Sequence, residues 1–246
     1  MSRMPKPEDL QVLLLDADGN LFPSEAPAFV ASADVTNRFL ASLGVEASYT
    51  PEHLLATTTG KNFRTTAADL AGKHGATVQP GILDDWVAEE KKVVSEYLGR
   101  VLRPDPAVLE PLRRLAGRYP LAAVSSSALS RLDECFRAAD LSELLPPDRR
   151  FSAEDSLPTP TSKPDPAVYL HAAERVGAPV ERALAVEDSL PGAQSAVAAG
   201  IATVGNVMFV PEEERDERRR CLTDAGVATV IESWEELARM LLGPAR

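Results

Sequence analysis

The sequence predicts an α/β protein: a parallel sheet wound on both faces by helices, carrying a small helical insertion. Three observations point there. Short apolar runs ending in polar residues recur along the chain, helical patterns lie between most of them, and about a hundred residues after the first run read as helix with no strand among them.

QVLLL (11–15) opens the series as a buried parallel strand, although its leucines depart from the usual β-branched composition. PLAAVSSS (120–127), RRFSA (149–153), RALAVEDS (182–189) and IATVG (201–205) repeat the pattern. Between them, PAVLEPLRRLAGR (106–118), SRLDECFRAADL (130–141), DPAVYLHAAERVG (165–177) and LPGAQSAVAAG (190–200) read as helices. ATVIESWEELARMLL (228–242) adds an edge strand and a closing helix. The interval after the first strand holds EAPAFVASADVTNRFLASLG (25–44), GKNFRTTAADLAGKHG (60–75) and GILDDWVAEEKKVVSEYLG (81–99), all helical in pattern. A connection that long is normally a functional insertion. The expected division is a core of residues 1–22 and 103–246 and a helical domain of residues 23–102, with Pro23 and the region of Arg103 and Pro104 as linkers. SLPTPTSKPDP (156–166) reads as an extended loop before a helix.

Hydrophobic residues make up 44% of the 246-residue chain, an ordinary share for a globular protein. The net charge of −11, from 37 acidic and 26 basic residues, argues against nucleic acid or an anionic membrane as a partner, so any bound anion needs a local site. Cys135 and Cys221 match neither a metal spacing nor a disulfide framework. Free thiols, an N-terminus unlike a signal peptide and the lack of a long apolar run make a cytoplasmic location the expectation. Monomer and homodimer both stay open.

The first strand ends in two acids, Asp16 and Asp18, separated by one alanine. Two carboxylates this close repel unless a cation sits between them. In an open parallel sheet ligands gather at the carboxyl ends of strands, and the other polar clusters lie there too: Ser125, Ser126 and Ser127 after the second strand, Lys163 ahead of a helix, Glu187 and Asp188 after the fourth strand. Mg²⁺ is usually held by one or two carboxylates together with a substrate phosphate, and Asp16 and Asp188 are the expected ligands. Asp16 is then placed to attack phosphorus, giving an aspartyl-phosphate that water hydrolyses. Asp18 is placed to protonate the leaving oxygen and then to activate that water. Lys163 offsets the charge of the phosphoryl oxygens and of Asp16. The Ser125 hydroxyl and the following backbone N–H, that of Ser126, hold another oxygen.

DADGNL, VSSS, SKPDP and VEDSLPGAQSA, in this order, resemble the four motifs of the haloacid dehalogenase superfamily of phosphohydrolases. The likeness is to the subgroup with a helical cap inserted after the first motif, which includes phosphoglycolate phosphatases and β-phosphoglucomutase. It implies a Rossmann-like core with a cap. It also implies Asp16 as nucleophile, Asp18 as acid and base with its backbone carbonyl on the metal, Ser125 and Lys163 on the phosphate, Asp188 as a further metal ligand, and Glu187 orienting metal-bound water. An acid at Asp18 separates the chain from the true dehalogenases and favours phosphate ester chemistry. Two positions depart from the family: Asn20 stands where Thr or Val is usual, and Pro23 near a frequent Asp. Asn suits a tight turn, and Pro23 restricts Phe22 to extended geometry and stiffens a hinge.

Each residue also has a plainer reading. The serines suit an N-cap for the helix that follows, Glu187 and Asp188 suit a cap for LPGAQSAVAAG, and Lys163 alone suits a solvated surface. In the insertion, Gly60, Lys61, Asn62 and Arg64 open a helical segment, and Lys61 and Arg64 are candidates for a second anionic group of the substrate. Lys91 and Lys92 read as a solvated face, His53, His74 and His171 have no metal spacing, and Trp86 and Trp234 read as packing residues. The expected function is a Mg²⁺-dependent phosphatase of a small phosphorylated metabolite, a sugar or organic acid phosphate. The alternatives are a phosphosugar mutase, disfavoured by the absence of a His shortly after the first motif, and a non-catalytic phosphometabolite-binding protein.

Overall fold

The computed structural model describes residues 4–58 and 62–243. The chain divides into two compact units, Met1–Pro23 with Arg103–Arg246, and Ser24–Leu102. In chain order the elements are β1 (Val12–Leu15), α1 (Glu25–Ser42), α2 (Pro51–Thr58), α3 (Phe63–Lys73), α4 (Pro80–Val101), α5 (Pro106–Ala116), β2 (Leu121–Ser125), α6 (Leu129–Ala138), β3 (Arg150–Ser152), α7 (Ala167–Val176), β4 (Ala183–Glu187), α8 (Leu190–Ala198), β5 (Ala202–Asn206), α9 (Arg215–Asp224), β6 (Thr229–Ile231) and α10 (Trp234–Leu242). No helix among the described residues is long and apolar enough to cross a membrane.

The six strands form one parallel sheet in the order β3-β2-β1-β4-β5-β6, with β6 at an edge as expected. β1 lies between β2 and β4, pairing Leu13 with Leu121 on one side and with Leu184 on the other. Side chains alternate across a strand. Val12 and Leu14 join Val124, Val168, Tyr169 and Ala185 in one apolar cluster, while Leu13 and Leu15 face the opposite side and are also fully buried. Helices therefore cover both faces, which explains a central strand without polar alternation. The chain reverses its direction of travel at β1, so the loops after β1, β2 and β4 open onto a crevice at their carboxyl ends.

The second unit is helical throughout its described elements. α1 packs on α2, α3 and α4 around Phe39, Leu40, Leu54, Ala67 and Leu70. Trp86 meets Phe39 edge to face, with ring centroids 5.9 Å apart, so it is a packing residue as its helical spacing suggests. α2 and α9 were not evident in the sequence pattern. α2 has eight residues, and α9 buries Leu222 as its one core residue, so neither carries an apolar stripe of useful length.

The loop after β1 is braced from within. Asn20 is fully buried; its Nδ2 donates to the carbonyls of Asp16 (2.9 Å) and Val186 (3.1 Å), and its Oδ1 accepts from Asn206 Nδ2 (2.8 Å). Trp234 Nε1 donates to the Asn20 carbonyl at 3.1 Å. The amide thus ties the ends of β1, β4 and β5 together, a larger part than the turn residue expected. Removing it takes one hydrogen bond each from the Asp16 carbonyl, the Val186 carbonyl and the buried Asn206 amide. Asn20→Ala is expected to lower stability by about 2–4 kcal/mol, and Trp234→Phe by about 1 kcal/mol, measured by urea unfolding with an unchanged m-value.

Candidate active site

Three neighbouring strand ends and one loop build the site. Asp16 follows β1 directly, and its backbone N–H continues the ladder to the Val186 carbonyl at 3.0 Å. Its carboxylate is buried. Gly19, at φ +75°, turns the chain three residues later; a side chain there would bring its Cβ to 2.5 Å from Asp188 Oδ2. Glycine satisfies both demands at once.

Lys163 occupies the centre. Its Nζ donates to Asp16 Oδ1 (2.5 Å), Glu187 Oε1 (2.6 Å) and the Val124 carbonyl (2.8 Å), which uses all three of its protons. Lys163 is anchored in turn by Ser126, whose Oγ accepts from the Lys163 backbone N–H at 3.1 Å. Burial opposes the charge on the ammonium, but Asp16 and Glu187 outweigh it and drive its proton affinity above the ordinary lysine range. The solvated-surface reading of Lys163 is thereby overturned.

Glu187, with no exposed surface, also accepts from Tyr169 Oη at 2.5 Å. Gly192 makes room for it, since a Cβ there would lie 1.9 Å from Glu187 Oε2. Carboxylate oxygens of Asp16, Glu187 and Asp188 fall within 4.8 Å of one another. Burial raises the Asp16 carboxyl well above the usual carboxylate range, against the pull of Lys163, and Glu187 and Asp188 raise it further. Asp188 is pushed up to about 7 by burial and then by Glu187, with Arg218 and Lys163 opposing. Arg218 Nη1 donates to the Asp188 carbonyl at 2.7 Å and stands 3.9 Å from its Oδ2.

This donor set fits a hard divalent cation. Its ligand atoms are oxygens, and among the described residues Asp188 Oδ1 and Glu187 Oε2 are buried without a hydrogen-bond partner. Asp16 and Asp188 carry the negative charge that such an ion would offset.

Asp18 faces the second strand. Ser127 Oγ donates to its Oδ2 at 2.7 Å and Arg131 Nη2 to its Oδ1 at 2.9 Å. Ser125 Oγ accepts from the Ser127 backbone N–H at 3.0 Å, which leaves its own hydroxyl proton to donate elsewhere. The capping readings do not hold: the N-cap of α6 is Ala128, which has no side-chain bond to give, Asp155 accepts from the Leu129 N–H instead, and Ser189 caps α8.

The structure thus brings Asp16, Asp18, Ser125, Ser126, Lys163, Glu187 and Asp188 to one end of the sheet. In the helical unit Asn62 caps α3, accepting from the Thr65 N–H at 2.9 Å, and Arg64 pairs with Asp84 at 2.5 Å on the surface. Lys61, with Gly60, lies outside the described residues. Sequence reasoning missed Tyr169, Arg131 and Arg218. Arg131 lies in the first turn of α6, the helix that follows the serines.

The chain from residue 10 to 200 matches the model of the haloacid dehalogenase-like hydrolase family. A phosphoglycolate phosphatase of Nitrosospira multiformis is 32% identical over 200 residues, 79% of this chain and 82% of that protein. A haloacid dehalogenase-like hydrolase domain-containing protein of Arabidopsis thaliana is 32% identical over 123 residues, half of this chain but only 38% of that protein. Among solved structures, a haloacid dehalogenase family hydrolase of Deinococcus radiodurans with bound phosphate and sodium is 27% identical, with a TM-score of 0.66 over 96% of this chain and 99% of that one. The chain belongs to the haloacid dehalogenase-like hydrolase family.

Proposed function

We propose that the protein is a Mg²⁺-dependent phosphomonoesterase that hydrolyses a small organic acid or sugar phosphate through a phosphorylated Asp16. The observation that carries this reading is the buried Lys163 ammonium bonded to Asp16 beside two further acids. The likeness to a phosphoglycolate phosphatase supports the substrate class. The separate helical unit, Ser24–Leu102, corresponds to the helical domain expected of the capped subgroup, and the free thiols Cys135 and Cys221 suit a cytoplasmic location.

Lys163 fixes Asp16 Oδ1, which leaves Oδ2 to attack phosphorus. As the bond to Asp16 forms, the bond to the leaving alcohol breaks, and Asp18 gives that oxygen its proton. The Ser125 hydroxyl and the Ser126 backbone N–H hold a phosphoryl oxygen, with Lys163 balancing the charge. Asp18, now a carboxylate, takes a proton from water, whose oxygen attacks phosphorus and releases Asp16. Mg²⁺, held by Asp16, Asp188 and the Asp18 carbonyl with Glu187 beside it, would supply charge neutralisation between acid and phosphate.

Asp16→Asn is expected to abolish turnover and phosphoenzyme formation, and Asp18→Asn to lower kcat by about 10²–10⁴. Steady-state hydrolysis of an aryl phosphate, with and without chelator, and acid-quench labelling read both effects. Activity that survives in Asp16→Asn, or in excess chelator, contradicts the reading.

The raised Asp188 carboxyl has a consequence for stability. In the unfolded chain it loses its proton in the ordinary carboxylate range; in the fold it holds it up to about 7. Raising pH between those limits therefore destabilises the metal-free protein. Asp188→Asn removes that penalty and is expected to stabilise the metal-free form by about 1–3 kcal/mol above about pH 7, while largely removing the thermal stabilisation given by excess Mg²⁺. Thermal melts across pH, with and without Mg²⁺, measure both; a variant no more stable than its parent contradicts the argument.

A further inference from the structure

Arg131 has no part in the steps above, yet it is bonded to a residue that has two. It stands on α6 and donates from Nη2 to Asp18 Oδ1 at 2.9 Å, beside the Ser127 hydroxyl on Oδ2 at 2.7 Å. The other cations of the site are engaged differently. Lys163 gives its three protons to Asp16, Glu187 and the Val124 carbonyl, and Arg218 donates to the Asp188 carbonyl on the far side.

The position of Arg131 decides what it can meet. If Asp18 gives its proton to the leaving oxygen, the organic part of the substrate hangs from that oxygen, within reach of the side chain already bonded to Asp18. The Arg131 and Asp18 side chains are 24% and 25% exposed. The pair is part-buried, and an anion arriving on its open side competes with Asp18 for the guanidinium. Its planar fork matches a carboxylate or a phosphate with two parallel hydrogen bonds.

We propose that Arg131 is a specificity-determining residue, turning from Asp18 to a second anionic group on the leaving alcohol. That movement holds the leaving group and frees one oxygen of Asp18 to face the leaving oxygen. The inference rests on the assignment of Asp18 as the acid and narrows the substrate class to phosphate esters of anionic alcohols.

The test compares kcat/KM for three esters: 2-phosphoglycolate, a short diol bisphosphate, and 2-hydroxyethyl phosphate, whose leaving alcohol is neutral. The parent protein is expected to prefer an anionic ester, and the anion it prefers identifies the group as carboxylate or phosphate. In Arg131→Gln the ratio of anionic to neutral ester is expected to fall about 10- to 100-fold, chiefly through KM, whatever happens to the absolute rates. Arg131→Lys keeps charge and stem but loses the fork, and is expected to lower the ratio less; it serves as the test if Arg131→Gln does not fold. A parent without preference, or a variant that slows all three esters alike, overturns the proposal, the second result meaning that Arg131 only positions Asp18. Failure of the phosphatase reading looks different: the parent hydrolyses none of the three, or Asp16→Asn still turns them over.

Discussion

The ammonium of Lys163 is held where two buried carboxylates, Asp16 and Glu187, would otherwise face each other out of water. Burying charges is costly, and removing one partner of such a set leaves an uncompensated ion in the interior. The arrangement is tolerable because each proton of the ammonium finds an acceptor, one of them the Val124 carbonyl at the end of β2. Adjacent parallel strands lie about 4.8 Å apart, so acids placed at the ends of β1 and β4 are forced into proximity by the sheet itself. The lysine therefore belongs to the fold as much as to the chemistry.

One lysine does not balance the site. Asp16, Asp18, Glu187 and Asp188 face Lys163, Arg131 and Arg218, and burial first, then the neighbouring acids, raises the proton affinities of Asp16 and Asp188. A fold selected for stability alone would replace one of these acids. Their retention at the end of a sheet whose strands are otherwise apolar is the local inconsistency expected at a functional site, and it answers why a buried run should end in a pair of acids.

Much of this was legible in the chain. The parallel strands showed as apolar runs because both faces of the sheet are covered, and the acids, serine and lysine showed because each stands next to a strand end or a turn. What stayed hidden lacks such a marker. Tyr169 reads as one more apolar helix residue, although its hydroxyl meets Glu187 at 2.5 Å. Arg218 sits in RDERRRCLTD, where the density of charge masks the one arginine that bonds the Asp188 carbonyl. Pairings between residues far apart in sequence, such as Asn20 with Asn206, are products of topology and leave no local pattern.

Asn20 departs from the family pattern, and its geometry gives that departure a structural part. Both amide protons are committed to carbonyls of β1 and β4, and its oxygen to Asn206, so the loop carrying Asp16 and Asp18 is fixed more tightly than a turn residue alone would fix it. The same accounting separates the residues that hold from those that react. Lys163 and Asn20 have their donors fully engaged and keep the frame. Among the described residues Asp188 Oδ1 and Glu187 Oε2 are buried without a hydrogen-bond partner, and the Ser125 hydroxyl keeps its proton to donate. A site in which the frame is saturated and the reacting edge is not has its geometry set before the substrate arrives, which is where preorganised electrostatics gains its effect.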